Sequence, residues 1–201
     1  MTPRFVRDVS DLPNHAFGPD SIVWWGTLGF MAIEGMGFVL ALVTCFYLMG
    51  EVPSWPPEGI APPGLLYSSL ITALFLVSSI PNHMSKKAAE RLDLRAVLLT
   101  MGAVLLLELA LVVLRGFELT TLYVRWDDNA YGSIVWTLLG LHTLHLLTDT
   151  GETIVVLAVL WLGDDEPRRF TDVSENADYW YFVILAWLPI YAAIYLVPRL
   201  S

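Results

Sequence analysis

Five long apolar stretches constrain this chain more than any other feature of its sequence. They cover residues 21–49, 64–80, 96–114, 133–162 and 179–197. About 20 apolar residues let a helix cross the roughly 30 Å hydrocarbon core of a bilayer. The pattern predicts an all-α integral membrane protein, with one domain of five transmembrane helices over residues 21–201. A short cytoplasmic N-terminal segment is expected over residues 1–20.

Composition excludes several other classes of protein. Hydrophobic residues make up 56% of the chain and charged residues 15%, whereas a soluble domain carries about 25% charged residues. A soluble enzyme and a disordered chain are therefore excluded. The net charge of -9 also argues against a nucleic acid or another polyanion as a partner.

Basic residues predict the orientation of the bundle, because they accumulate on the cytoplasmic side of membrane proteins. With five spans, the N-terminal side receives Arg4, Arg7, Lys86, Lys87, Arg91, Arg95, Arg168 and Arg169, and the opposite side receives Arg115, Arg125 and Arg199. We therefore expect a cytoplasmic N-terminus and an outside C-terminus. Two prolines should also shape the helices: Pro81 closes the second span, and Pro189 kinks the fifth.

Six ionisable residues fall inside the predicted spans, and no Lys or Arg does. They are Glu34, Glu108, His142, His145, Asp149 and Glu152. A charged group at mid-bilayer costs about 2.5 to 3.5 kcal/mol or more, so these acids should be protonated hydrogen-bond donors or partners of the histidines. The last four recur at steps of three, four and three, which predicts one helix face turned towards protein, with His145 and Asp149 as an i,i+4 pair.

Two interpretations of that face remain open. Its histidines and carboxylates could bind a metal or haem, which would make the chain a stand-alone membrane metalloenzyme built on His142, His145, Asp149 and Glu152. Alternatively, they join helices through hydrogen bonds. The second is favoured, since di-iron bundles use Glu-x-x-His pairs on two helices, and here both intramembrane histidines lie on one helix. Glycines 26, 29, 35 and 37 around Glu34 indicate close packing of span one, in the bundle or against a partner.

Four motifs extend this picture. Residues 26–34 read GTLGFMAIE, similar to a G-x-W-x-F-L-x-S-E helix with a membrane-embedded glutamate, and residues 72–79 read TALFLVSS, similar to T-x-x-L-L-x-S-S. Residues 131–145 resemble Y-G-S followed by G-x-H-G-x-H, and residues 179–195 resemble a terminal Y-W-H-F-V-D-x-x-W…Y helix. Together they resemble subunit III of the haem-copper oxidases (cytochrome c and quinol oxidases), in the short five-helix form that lacks the family's first two helices.

The chain departs from that family pattern at several positions. Tyr181 stands at a family His and Ile184 at a family Asp, so a role that depends on that Asp is in doubt here. Leu28 and Ile33 replace a Trp and a Ser, and Thr143 replaces a Gly. These differences indicate a divergent branch of the family.

The resemblance implies a multi-pass, non-catalytic subunit of the inner (cytoplasmic) membrane. Its functional site residue would be Glu34, which corresponds to the family's membrane-embedded glutamate. Such a subunit packs mainly against oxidase subunit I, near subunit II and other membrane subunits. It binds phospholipid and supports proton uptake during electron transfer to oxygen. It binds no cofactor itself, and haem and copper lie in its partner subunits. The accessory membrane protein of nitric oxide reductase, from the same superfamily, is the alternative.

Overall fold

A computed structural model describes residues 15–163 and 166–200. It contains five α-helices: α1 (Ile22–Gly50), α2 (Leu65–Glu90), α3 (Leu94–Thr120), α4 (Ala130–Leu162) and α5 (Pro167–Tyr191). A 3-10 turn precedes α1, and no strand occurs in these two described ranges. All five helices are long and apolar enough to cross a membrane, which confirms the predicted all-α, five-helix class. The orientation remains a prediction, and Arg4 and Arg7 lie outside the described residues.

Side-chain caps explain where three of the helices begin. Ser21 Oγ accepts from the Val23 N–H at the start of α1, and Asp93 accepts from the Ala96 N–H at 3.0 Å at the start of α3. The side chain of Asn129 accepts from the Gly132 N–H at 2.8 Å at the start of α4. Each contact satisfies a backbone donor that has no partner within the helix.

The helices differ in how deeply they are buried. Helix α2 packs between α3 and α5, α4 packs on α3 and α5, and α1 packs on α4 and α5. Only 11% of the apolar window of α1 is buried, against 28% to 44% for the other four helices. Helix α1 is therefore the peripheral member of the bundle, and most of its apolar surface faces outwards.

Helices α2 and α5 both extend beyond their predicted spans, at the same end of the bundle. Pro81 was predicted to close the second span, but α2 continues through it to Glu90, and α5 begins at Pro167 rather than near residue 179. The extensions support one another: Asn82 Nδ2 donates to the Ala177 carbonyl at 2.9 Å, and Lys86 pairs with Asp178. A count of apolar residues does not detect these polar contacts. Pro189 lies within α5, and the change from α-helical to π-helical bonding follows it, at Ala192–Leu196.

The prediction that no Lys or Arg lies inside a span is wrong. The third apolar stretch was taken to end before Arg115, yet α3 continues to Thr120 and Arg115 is only 1% exposed. Its charge is tolerated because an acid lies one helical turn away at Glu118 and a histidine faces it from α4. The buried polar groups of this bundle therefore include a cation.

Candidate functional site: a buried polar network

A group of four polar side chains, which we name the arginine cluster, joins α3 and α4 to the end of the chain. It comprises Arg115, Glu118, His142 and Tyr195. The guanidinium of Arg115 pairs with Glu118 and donates from Nη2 to His142 Nδ1 at 3.1 Å. The Tyr195 hydroxyl donates to Glu118 Oε1 at 2.6 Å. The cluster is shielded by Trp187, whose ring centroid lies 4.3 Å from the guanidinium carbon of Arg115.

The contacts of His142 define its role. Its Nδ1 must accept, because the partner Arg115 has only donors, so its Nε2 carries the proton and donates to the Val183 carbonyl at 3.0 Å. Both ring nitrogens are thereby occupied, and the imidazole is neutral. His142 joins α3, α4 and α5 and has no lone pair left to bind a metal.

A second group, which we name the Glu34 cluster, joins the peripheral α1 to α4 and α5. The Tyr179 hydroxyl donates to Glu34 Oε2 at 2.7 Å, and His145 Nε2 lies 3.6 Å from Glu34 Oε1. Because His145 Nδ1 donates to the Leu141 carbonyl at 2.7 Å, its Nε2 faces the carboxyl group. Phe38 covers the imidazole, with ring centroids 4.8 Å apart. Glu34 and His145 thus form an acid–base pair at the inner edge of α1.

A third group, which we name the Glu108 cluster, lies between α3, α4 and α5. Thr153 Oγ1 donates to Glu108 Oε1 at 3.1 Å, and Asn176 Nδ2 donates to Thr153 Oγ1 at 3.3 Å. Asp149 lies one turn before Thr153 on α4. It is fully buried, and neither of its carboxylate oxygens has a hydrogen-bond partner within residues 15–163 and 166–200. The predicted pairing of Asp149 with His145 is therefore wrong, since His145 turns to Leu141 and Glu34.

The predicted polar face of α4 is not buried along its whole length. His142, His145 and Asp149 are buried, but Glu152 is exposed. Glu152 lies only about 20° from His145 around the helix, because seven residues turn through about 700°. Its exposure therefore comes not from its position around α4 but from the cleft beside α1, which it lines.

The six intramembrane residues predicted from the sequence do not converge on one centre. Among residues 15–163 and 166–200, no group of three or more His, Cys, Asp or Glu side chains could hold a metal ion. The four α4 residues of the metalloenzyme alternative contact different neighbouring residues and do not point at a common centre. Their geometry therefore does not fit that alternative. The network instead has the contacts expected of polar links between helices.

Sequence reasoning missed several members of this network. Arg115 and Glu118 are three residues apart, a spacing at which helical side chains pair, so continuing α3 by one turn would have revealed them. Tyr179 and Tyr195 entered the sequence analysis only as the first and last letters of the terminal motif. Their carboxylate partners lie 145 and 77 residues away in the sequence, and only the fold brings them together.

Comparison with known proteins agrees with this architecture. A family model described as cytochrome c oxidase subunit III matches residues 12–198. The chain is 26% identical over 185 residues to cytochrome c oxidase subunit 3 of Synechocystis sp., covering 89% of this chain and 77% of that protein. It is 28% identical over 203 residues to that of Lumbricus terrestris, covering 94% and 76%.

A third relative matches over most of its own length. The probable cytochrome c oxidase subunit 3 of Mycobacterium leprae is 26% identical over 187 residues, which cover 91% of this chain and 92% of that protein. The matched region spans all five helices, so the resemblance seen in the motifs extends over the bundle. With its five membrane-crossing helices, this multi-pass membrane protein belongs to the cytochrome c oxidase subunit III family.

Proposed function

We propose that this chain is the non-catalytic subunit III of a respiratory haem-copper oxidase in the inner membrane of a bacterium. It packs against the haem- and copper-bearing subunit I, binds phospholipid and helps to sustain proton uptake during reduction of oxygen. The observation that carries the proposal is the use of the histidines. Both ring nitrogens of His142 and the Nδ1 atom of His145 form hydrogen bonds within the bundle.

The peripheral helix α1 is our candidate for the contact with subunit I. Its outer surface carries large exposed apolar side chains, including Ile33, Leu40 and Val43. Gly29 and Gly37 lie in open space, where an added Cβ would meet no atom within 4 Å. Small residues let a second helix backbone approach closely in a membrane, and α1 offers them beside an apolar surface.

An apolar groove between α3 and α4 supports the proposed lipid binding. It has a volume of about 480 Å³. Its walls are formed almost wholly by apolar side chains, with Gly102 and Ala158 leaving space between the helices. A groove of this composition suits an acyl chain, because lipid tails are as apolar as its walls and association within the bilayer depends on close van der Waals packing.

The proposed role in proton uptake rests on the position of Glu34. This acid lies on the helix that we propose contacts subunit I, and it points inwards: it accepts a hydrogen bond from Tyr179 on α5 and lies 3.6 Å from His145 Nε2 on α4. A change in the protonation of Glu34 would alter the attachment of α1 to α4 and α5, and would therefore affect the contact of α1 with subunit I. The basic residues Lys86, Lys87, Arg91 and Arg95, at the end of the bundle where α1 begins, support placing that end in the cytoplasm.

Co-purification tests this function. The affinity-tagged full chain, isolated from native membranes in mild detergent, should carry with it a larger subunit that contains haem and copper. Leu40→Trp on α1 should reduce the recovered haem per chain at least about threefold, because a bulkier side chain would separate the packed helices. Leu106→Trp on α3 is the matched control, since both leucines are outward-facing, with exposures of 61% and 70%.

Two results would contradict the proposal. One is haem or stoichiometric metal on the tagged chain after its partner has been dissociated. The other is equal loss of haem-containing partner in Leu40→Trp and Leu106→Trp, which would remove α1 as the docking helix.

A further inference from the structure

A cleft lined by both polar and apolar side chains opens beside α1 at the end of the bundle where that helix begins. It lies between α1, α4 and α5 and has a volume of about 370 Å³. Thr27 and Phe30 line it from α1, Glu152 from α4, and Glu175 and Tyr179 from α5. Two carboxyl groups and two hydroxyl groups therefore face each other inside a segment that crosses the membrane.

The cleft continues towards the helix ends through two further cavities. A cavity of about 260 Å³ shares Glu152 and Glu175 with it and adds Asp172 and Arg169. A third, of about 460 Å³, shares Asp172 and reaches Asp20 beside the start of α1. The polar lining thus runs from the ends of α1 and α5, where the chain leaves the hydrocarbon, to the ring of Tyr179.

Glu175 indicates what fills the cleft. It is only 6% exposed, and neither of its carboxylate oxygens has a hydrogen-bond partner among the described residues. The Thr27 hydroxyl on the opposite wall lies within hydrogen-bonding reach of this carboxyl group, but it donates its proton to the Val23 carbonyl at 3.1 Å. An ionised carboxylate buried without partners is costly, whereas water supplies the missing donors. A volume of about 370 Å³ holds about ten waters at about 30 Å³ each.

The charge around the cleft favours cations. Glu152 and Glu175 line the cleft itself. Its continuation adds Asp172 and Asp20 together with Arg168 and Arg169, and Arg169 donates to the Val159 carbonyl at the end of α4. Lys86 is already paired with Asp178. A site walled by one sign of charge and by apolar protein raises the local concentration of the opposite ion.

We propose that this cleft is a water-filled vestibule that attracts small cations and ends at Tyr179. The ring of Tyr179 closes the inner end together with Phe30, with ring centroids 6.0 Å apart. Its hydroxyl donates to Glu34, so a single side chain separates the cleft from that half-buried acid. The inference concerns helices of this chain alone and does not rest on the proposed docking to subunit I.

Cysteine accessibility tests the vestibule directly. Thr27→Cys and Phe30→Cys place thiols in the cleft, and Leu99→Cys and Leu106→Cys place them on the outward surface of α3, where each leucine is 70% exposed. The full chain, in opened native membranes with its complex, is treated with a cationic, membrane-impermeant methanethiosulfonate. We expect the cleft thiols to react about tenfold faster than the outward ones. The unsubstituted chain is the blank, because Cys45 is only 3% exposed.

The second measurement tests whether the two carboxyl groups of the cleft cause its preference for cations, by replacing them with neutral amides. In Thr27→Cys combined with Glu152→Gln and Glu175→Gln, the preference for the cationic over an anionic methanethiosulfonate should fall about tenfold. Labelling after denaturation verifies that each thiol is present. Gly26→Cys, which also lines the cleft and where a Cβ meets no neighbour, replaces any variant that does not accumulate.

Three outcomes would overturn the proposal. Equal rates at cleft and outward positions would mean that no water column exists. Labelling of the cleft by a lipophilic neutral maleimide but not by the charged reagent would mean that an acyl chain fills it. A cation preference unchanged by the two Glu→Gln substitutions would mean that the carboxyl groups do not set its selectivity.

Discussion

The hydroxyl of Tyr179 donates a 2.7 Å hydrogen bond to Glu34 Oε2, and this bond joins α5 to the peripheral helix α1. Helix α1 buries little of its own surface in the bundle, so a polar contact forms a large part of its attachment. Hydrogen bonds between membrane helices contribute about 0.6 to 2 kcal/mol each. The pair is thus a sensitive point for experiments on how the chain holds together.

Removing this hydroxyl should loosen α1. In Tyr179→Phe we expect a loss of about 1 kcal/mol in the free energy of unfolding, because Glu34 loses a donor while the ring packing remains. Denaturant titration of the purified complex, followed by the release of this chain, measures the loss. Tyr47→Phe, on the exposed surface of α1, should leave the midpoint unchanged, and an equal shift in both variants would contradict the prediction.

Glu34 itself should matter for assembly rather than for cofactor content. Glu34→Ala removes the acceptor for Tyr179 and should reduce retention of this chain during purification or shorten the half-life of turnover, with haem per complex unchanged. Glu34→Gln keeps a side-chain carbonyl acceptor and should be milder on both measures. Unchanged retention and unchanged half-life in Glu34→Ala would make the residue incidental to both.

Breaking the arginine cluster should be more damaging. Arg115→Met leaves Glu118 and His142 buried without their common donor, and removing one member of a buried ion pair costs about 3 to 5 kcal/mol. The double variant Arg115→Met/Glu118→Gln should recover part of that loss in a denaturation experiment. Arg125→Met is the control, because its pair with Asp127 is exposed and worth about 1 kcal/mol at most. Similar losses in Arg115→Met and Arg125→Met would refute the assigned role.

Two glycines of α4 should respond in opposite ways to alanine. A Cβ at Gly132 would lie 2.1 Å from the Arg125 carbonyl oxygen and 2.8 Å from Val124 Cγ2, so Gly132→Ala must displace the loop before α4. A Cβ at Gly140 meets nothing within 4 Å. Gly140→Ala should therefore be neutral or stabilise the helix by up to about 1 kcal/mol, while Gly132→Ala lowers the unfolding midpoint. Chain yield and midpoint measured side by side check the sign of each effect.

Apolar run length was enough to predict five helices, because hydrocarbon leaves a backbone few other ways to satisfy its hydrogen bonds. It was not enough to place the helix ends. Asn82 and Lys86 extend α2 through contacts with α5, and such contacts have no local signature. The sequence also indicated which ionisable residues lie within the bundle but not how they pair. His145 has Asp149 one turn away on its own helix, yet it faces Glu34, and that choice depends on where α1 lies.

The position of α1 has a consequence for biogenesis. It is the first of these five helices to leave the ribosome, yet it packs on α4 and α5, and the donor for its carboxyl group lies 145 residues further along the chain. Until α5 is inserted, α1 must remain in the bilayer with Glu34 lacking its tyrosine. Insertion of the last helix therefore completes the attachment of the first, and a chain truncated before Tyr179 would leave the Glu34 carboxyl group without its hydrogen-bond donor.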